Sequence, residues 1–221
     1  NFIYYYMQLV INKDEYHIPS KWNQVSLRKY QLFMSTYKED VSDAEKQLHL
    51  LSCFTGADPD AIANIPKRVL NGATKILAEL VETKPNEDLA VHFEIENTEY
   101  GFHPNLADMK LKEFVDLDNA LTESWENMHK IMGILYRPVT KKKGDKYDIE
   151  DYDFISANKR AELFRDAMSV ELVNGAAAFF LTIAVDYMKI TEAYSKVDRR
   201  TRRERIRLTK KRLARLMGGT A

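Results

Sequence analysis

Leu9-Val10-Ile11-Asn12-Lys13-Asp14-Glu15-Tyr16-His17-Ile18-Pro19 and, further along, Phe93-Glu94-Ile95-Glu96-Asn97-Thr98-Glu99-Tyr100-Gly101-Phe102-His103-Pro104 decide how the chain is read. At an offset of 84, Ile11 meets Ile95, Glu15 meets Glu99, Tyr16 meets Tyr100 and Ile18 meets Phe102. Similarity at a fixed offset marks a duplicated unit. Within the first stretch, Met7–Ile11 and Tyr16–Ile18 are strand-like, and Asn12-Lys13-Asp14-Glu15 supplies a polar turn. Pro19 cannot donate to a ladder and ends the second strand.

Helices follow each hairpin. Val25, Leu27, Tyr30, Phe33 and Met34 fall on or near one helical face, with Ser20 or Asn23 as the predicted cap. A second helix is predicted over 42–54, capped by Ser42 with Glu45 at the capping-box position and stopped by Gly56. Asp58-Pro59-Asp60 opens a short helical turn. Pro66 starts a longer helix through Val69, Leu70, Ala73, Ile76, Leu77 and Leu80, which Lys84-Pro85-Asn86 breaks. At the same offset Leu27 meets Leu111 and Tyr30 meets Phe114; after a shift of four, Leu48-His49 meets Met128-His129 and Leu51 meets Ile131. The first hairpin-helix unit is therefore placed at 7–82 and the second at 90–138.

The remainder divides by composition. Residues 139–156, from Thr140-Lys141-Lys142-Lys143 to Asp153, show no apolar period and read as a charged, solvated loop. Residues 157–195 read as helical. Ala176-Ala177-Ala178-Phe179-Phe180-Leu181 is apolar nearly all round, which predicts the buried helix of the fold. A basic terminal helix with Ile206, Leu213, Leu216 and Met217 as a thin apolar stripe is predicted over 196–221. The fold class expected is α+β, mainly helical, with two short hairpins.

The 33 basic and 33 acidic residues give zero formal net charge, but they are segregated. Residues 196–221 carry eleven basic against two acidic, a net of +9, and the preceding 195 carry 22 against 31, a net of −9. Such asymmetry points to an acidic or polyanionic partner for Arg199, Arg200, Arg202, Arg203, Arg205, Arg207, Lys210, Lys211, Arg212 and Arg215. Arginine-rich composition favours bidentate contacts with carboxylate or phosphate. The single cysteine, Cys53, excludes a disulfide framework and a cysteine-based zinc site. The most apolar run, 172–185, is fourteen residues and contains Asn174, too short for a membrane span. The opening Asn1-Phe2-Ile3-Tyr4-Tyr5-Tyr6 lacks the flanks of a signal peptide, and the reading is a fragment or a chain whose true start is Met7.

Candidate chemistry is sparse. His49 and Cys53, at i, i+4, have the spacing for a thiolate–imidazolium pair, but no third member accompanies them, and a buried thiol beside a helix-face histidine is the expectation. His17, His49, His92, His103 and His129 have no ligand spacing, so no metal is expected. Residues 145–153 lack the glycine and distal glutamate of a calcium loop. No glycine-rich phosphate loop or nucleotide motif is present, and no cofactor is expected. Tyr16, Tyr100 and Phe102 could stack on single-stranded bases, yet cross-strand packing is the expected role.

The first copy, with Ile18-Pro19, Trp22-Asn23-Gln24-Val25-Ser26-Leu27, Leu50-Leu51-Ser52-Cys53-Phe54-Thr55-Gly56, Asp58-Pro59-Asp60 and Ile65-Pro66, resembles small structural-module proteins of tailed bacteriophages, especially phages of Bacteroidetes-type hosts. The second copy, with Phe114-Val115-Asp116-Leu117-Asp118 and Met128 through Pro138, resembles the same group, and the resemblance covers about residues 9–195. It implies a non-enzymatic virion-morphogenesis role, as a head–tail connector or ring component or as a tail assembly chaperone. The implied partners are other phage structural proteins and further copies of the chain, in the host cytoplasm during assembly or in the virion. It supplies no active residues. The alternative is a nucleic-acid-binding regulator that uses the basic segment on DNA.

Overall fold

A computed structural model describes residues 7–37, 40–121, 124–194 and Arg207. Among them are eight helices and two antiparallel sheets, an α+β and mainly helical fold. The chain divides into two units: residues 1–85 with 168–171, and residues 86–167 with 172–221.

In the first unit, β1 (Met7–Ile11) pairs with β2 (Asp14–Ile18). The turn is shorter than the predicted four residues: Asn12 and Lys13 alone make it, at φ of 52° and 79°. Two consecutive left-handed residues match the twist of paired strands, which is why two-residue hairpins favour them. Trp22–Gln24 forms a 3-10 turn, and α1 runs Leu27–Thr36 with Ser26 as its cap, accepting from the Lys29 N–H. The predicted caps Ser20 and Asn23 are thus displaced. Val25 and Ser26 stay extended because they pair with the returning chain: Leu27 N–H donates to Met168 O and Val170 N–H to Val25 O, each at 2.9 Å.

The second helix, α2 (Asp43–Thr55), has the predicted capping box between Ser42 and Glu45 and ends at Gly56. Asp58 caps α3 (Pro59–Ala63), and α4 runs Lys67–Glu82. Ile18, Val25, Leu51, Phe54, Ile62, Leu77 and Val170 fill the core, each at most 2% exposed. Burying one such side chain contributes about 1.5–3 kcal/mol.

In the second unit, β3 (His92–Ile95) and β4 (Thr98–Phe102) turn at Glu96 and Asn97, with φ of 50° and 61°. The turn lies 84 residues after the first. The next 3-10 turn (Leu106–Asp108) and α5 (Leu111–Leu121) begin at that same offset from their counterparts. A short 3-10 turn then leads into α6 (Met128–Leu135).

The predicted charged loop over 139–156 is not a loop. The strands β5 (Tyr136–Lys143) and β6 (Lys146–Ile149) form a hairpin there, completing a sheet of order β3-β4-β5-β6. Its tip is solvated on both faces, and there Lys141 stands opposite Asp148, so charge coexists with strand geometry. Helix α7 begins at Phe154 and ends at Ala167, with Asp153 accepting from the Ser156 N–H at its start. The predicted helical segment 157–195 is therefore two helices, α7 and α8 (Val170–Tyr194), separated by the Met168-Ser169 return.

Nor is the apolar centre of α8 wholly buried. Val173 and Ala176 are buried, but Phe179 is 36% exposed and Thr182 is exposed, because only one face of the helix packs. The aromatic residues of the second hairpin serve the core. Tyr100 and Phe102 meet Phe164 and Tyr136 edge-to-face, with ring centroids 4.9 and 5.2 Å apart.

Candidate functional site

Two side-chain clusters and one helix face carry the chemistry of the described residues. In the first unit, Thr36, His49 and Cys53 converge as the i, i+4 spacing implies: His49 Nε2 lies 2.5 Å from Thr36 Oγ1 and 3.4 Å from Cys53 Sγ. Burial lowers the pKa of His49, and burial raises that of Cys53 against the opposing hydrogen bond from Thr36. Both shifts favour neutral forms, the reverse of what a thiolate–imidazolium pair requires. The cluster is a polar contact inside the α1–α2 packing, with His49 Nδ1 buried and without a hydrogen-bond partner.

The second cluster holds α5 onto the sheet. Glu113 lies in the first turn of α5 and is buried, at 2% exposure. One carboxylate oxygen accepts from the backbone N–H of Lys110 at 2.9 Å, as in half of a capping box. The other pairs with Arg137 of β5 at 2.8 Å, and His103, just after β4, lies 3.7 Å from the first. Burial lowers the pKa of His103, and the neighbouring Arg137 charge lowers it further against the pull of Glu113, so the imidazole stays neutral. A cleft of about 290 Å³ opens beside this group, with Asp108, Lys110, Glu150 and Asp151 on its walls.

With Glu113, Leu117 and Ala120 turned inward, α5 has a defined outer face. Leu111, Phe114, Val115 and Asp118, at i, i+3, i+4 and i+7, lie together on it. Leu111 is 78%, Phe114 57% and Val115 47% exposed. One flank of the helix is fixed by buried Tyr152, whose hydroxyl donates to Asp116 at 2.6 Å while Lys112 Nζ donates to its carbonyl at 2.8 Å. A cleft of about 430 Å³ follows that flank between Asp116, Asn119, Tyr152 and Phe154, and Phe154 and Ile155 are themselves exposed at 58% and 64%.

Of the ten basic residues predicted as a partner-binding segment, Arg207 is helical and exposed. The other nine (Arg199, Arg200, Arg202, Arg203, Arg205, Lys210, Lys211, Arg212 and Arg215) lie outside the described residues. Sequence reasoning matched Leu111 and Phe114 to core positions of the first copy and so missed their exposure. It also missed Glu113, although its position four before Leu117 on the inner face was a usable signal. Comparison with protein-family models, with curated proteins and with solved structures found no match to this chain.

Proposed function

We propose that the chain is a non-enzymatic assembly protein working through protein–protein contacts, of the head–tail connector, ring or tail-chaperone kind found in tailed phages. The observation that carries the reading is the outer face of α5. Contiguous exposed apolar surface is costly to solvate and marks contact surfaces. Here Leu111, Phe114 and Val115 lie side by side with Asp118 at their edge. The resemblance to phage structural proteins and the segregation of charge into a +9 segment and a −9 remainder support the same reading.

Mass spectrometry of purified virions, with crosslinking in infected cells, tests it. A connector is found in particles; a chaperone is absent from particles and crosslinks to tail proteins. Absence from both overturns the proposal. The composition of 196–221 favours one second reading, a nucleic-acid-binding regulator. Its mark is a steep salt dependence of DNA binding, with a slope that falls by about 0.9 for each phosphate no longer neutralised once arginines are replaced.

A further inference from the structure

We infer that the outer face of α5 seats the basic segment 196–221 of a second copy of this chain. The inference rests on the assembly reading above and names the partner of that surface.

The first unit contains the same helix start in a covered state. Leu27, 84 positions before Leu111, is fully buried, and residues 168–170 lie against the turn that leads into it, paired through Met168 O and the Val170 N–H. In the second unit, Leu111 is 78% exposed and Phe114, the counterpart of half-buried Tyr30, is 57% exposed. One copy of the unit thus has its cover within the chain, and the other leaves the equivalent apolar side chains open.

Charge identifies the occupant. Asp118 lies on the face, Asp108 precedes it, and Asp116, which accepts from the Tyr152 hydroxyl, and Asp153 flank it. Lys110 is engaged by Asp151 at 2.7 Å and Lys112 by the Tyr152 carbonyl at 2.8 Å. An apolar face with acidic borders is complementary to a segment of eleven basic and two acidic residues that also holds Ile206, Leu213, Leu216 and Met217. Arginine suits carboxylate partners because its planar fork binds both oxygens.

The basic segment follows α8 in the chain. Val173 and Ala176 are buried, Phe179 still meets Phe102 with ring centroids 5.5 Å apart, Thr182 is exposed, and the helix continues to Tyr194. At 1.5 Å per residue the part of α8 after Thr182 is roughly 18 Å long, a span that separates the segment from the residues packed at Val173 and Ala176 along the helix. A face on one copy engaged by a segment of the next is a heterologous contact, which closes into a ring or extends into a filament.

Sedimentation equilibrium on the full chain tests this. The wild type is expected to self-associate at low salt and to weaken at about 1 M salt, where screening falls to about 3 Å. Two variants, Leu111→Ser with Phe114→Ser and Arg199→Gln with Arg202→Gln and Arg205→Gln, should each weaken association by about tenfold or more. Mixed together they should pair one to one, since one retains the segment and the other the face. Thermal melts check that the exposed-site substitutions leave folding intact, and Val115→Lys serves as a second face variant.

A monomeric wild type, association that survives both face variants, or variants that fail to pair when mixed would each overturn the inference. So would arginine substitutions that abolish DNA binding and leave self-association unchanged. Virion mass spectrometry reads the assembly role separately, so the chain found in particles while the face variants associate normally would sink this inference alone.

Discussion

Replacing Arg137 by Met removes the cation from a buried ion pair and leaves Glu113 with the Lys110 N–H and the nearby His103 imidazole. The side chains of Arg137 and Glu113 are 5% and 3% exposed, so the carboxylate is poorly hydrated once the guanidinium is gone, even with the cleft of about 290 Å³ beside it. Stranding one member of a buried pair costs about 3–5 kcal/mol. For a chain of 221 residues that is roughly 10 °C in Tm. The assay is urea unfolding followed by Trp125 fluorescence in a Trp22→Phe background, which restricts the signal to the second unit. Glu113→Leu combined with Arg137→Met replaces the pair by apolar groups and should recover most of the loss, to within about 1–2 kcal/mol of wild type. The pH dependence adds a signed check. Arg137 helps to hold His103 below its ordinary range while Glu113 pulls it up, so the variant frees His103 to protonate beside the stranded carboxylate. The destabilisation should therefore shrink on acidification. A loss below about 1 kcal/mol, or one equal at both ends of the pH range, would refute the account of the pair.

Burial lowers the pKa of each of His49, His103 and His129, so the unfolded chain binds protons that the folded chain refuses. Stability is fully present above about pH 6.5 and declines as pH falls through that value, by at most ~1.4 kcal/mol per pH unit for each histidine; denaturant midpoints that hold level down through this window would contradict it. A Cβ added to Gly133 would meet Ala157 O at 2.6 Å and Ala161 Cβ at 3.1 Å, so Gly133→Ala should push α6 from α7 and cost about 1–3 kcal/mol; a neutral result in thermal melts would show that the helices separate freely. Cys53 is 5% exposed with its pKa raised, so a thiol reagent should label the native chain slowly and the urea-unfolded chain fast; rapid native labelling would contradict its burial.

What was legible in the sequence was local chemistry. The Ser42–Glu45 capping box, the helical turn opened by Asp58-Pro59-Asp60 and the stop at Gly56 are each decided within a few residues, and the structure contains all three. The first two hairpins were legible from short apolar runs on either side of a polar turn, although the first turn proved to be two residues and not four. What was not legible depended on partners far along the chain. Ser26 displaces Ser20 and Asn23 as the α1 cap because residues 168–170 pair with Val25 and Leu27, about 140 positions away. The strands β5 and β6 were hidden by lysines and aspartates, which a solvated hairpin tip tolerates although they carry no apolar period. Glu113 and Arg137 were hidden for a related reason: a charged residue reads as surface until its counter-charge is known.

The two copies of the helix differ in a way that solvation alone does not produce. Leu27 and Leu111 are equivalent, the one fully buried and the other largely exposed; Gln31 is buried while its counterpart Val115 is 47% exposed. Across this pair of positions, the exposed helix has kept its leucine and carries an apolar residue where the buried one has a polar residue. If water were the final neighbour of α5, polar side chains would stabilise its outer face equally well and leave less apolar surface prone to association. Yet the inner face, with its buried Glu113–Arg137 pair, fixes the helix so that Leu111, Phe114 and Val115 point outward. An ion pair that costs desolvation thus secures the orientation of an apolar stripe, which is the arrangement a contact surface of the kind proposed above requires.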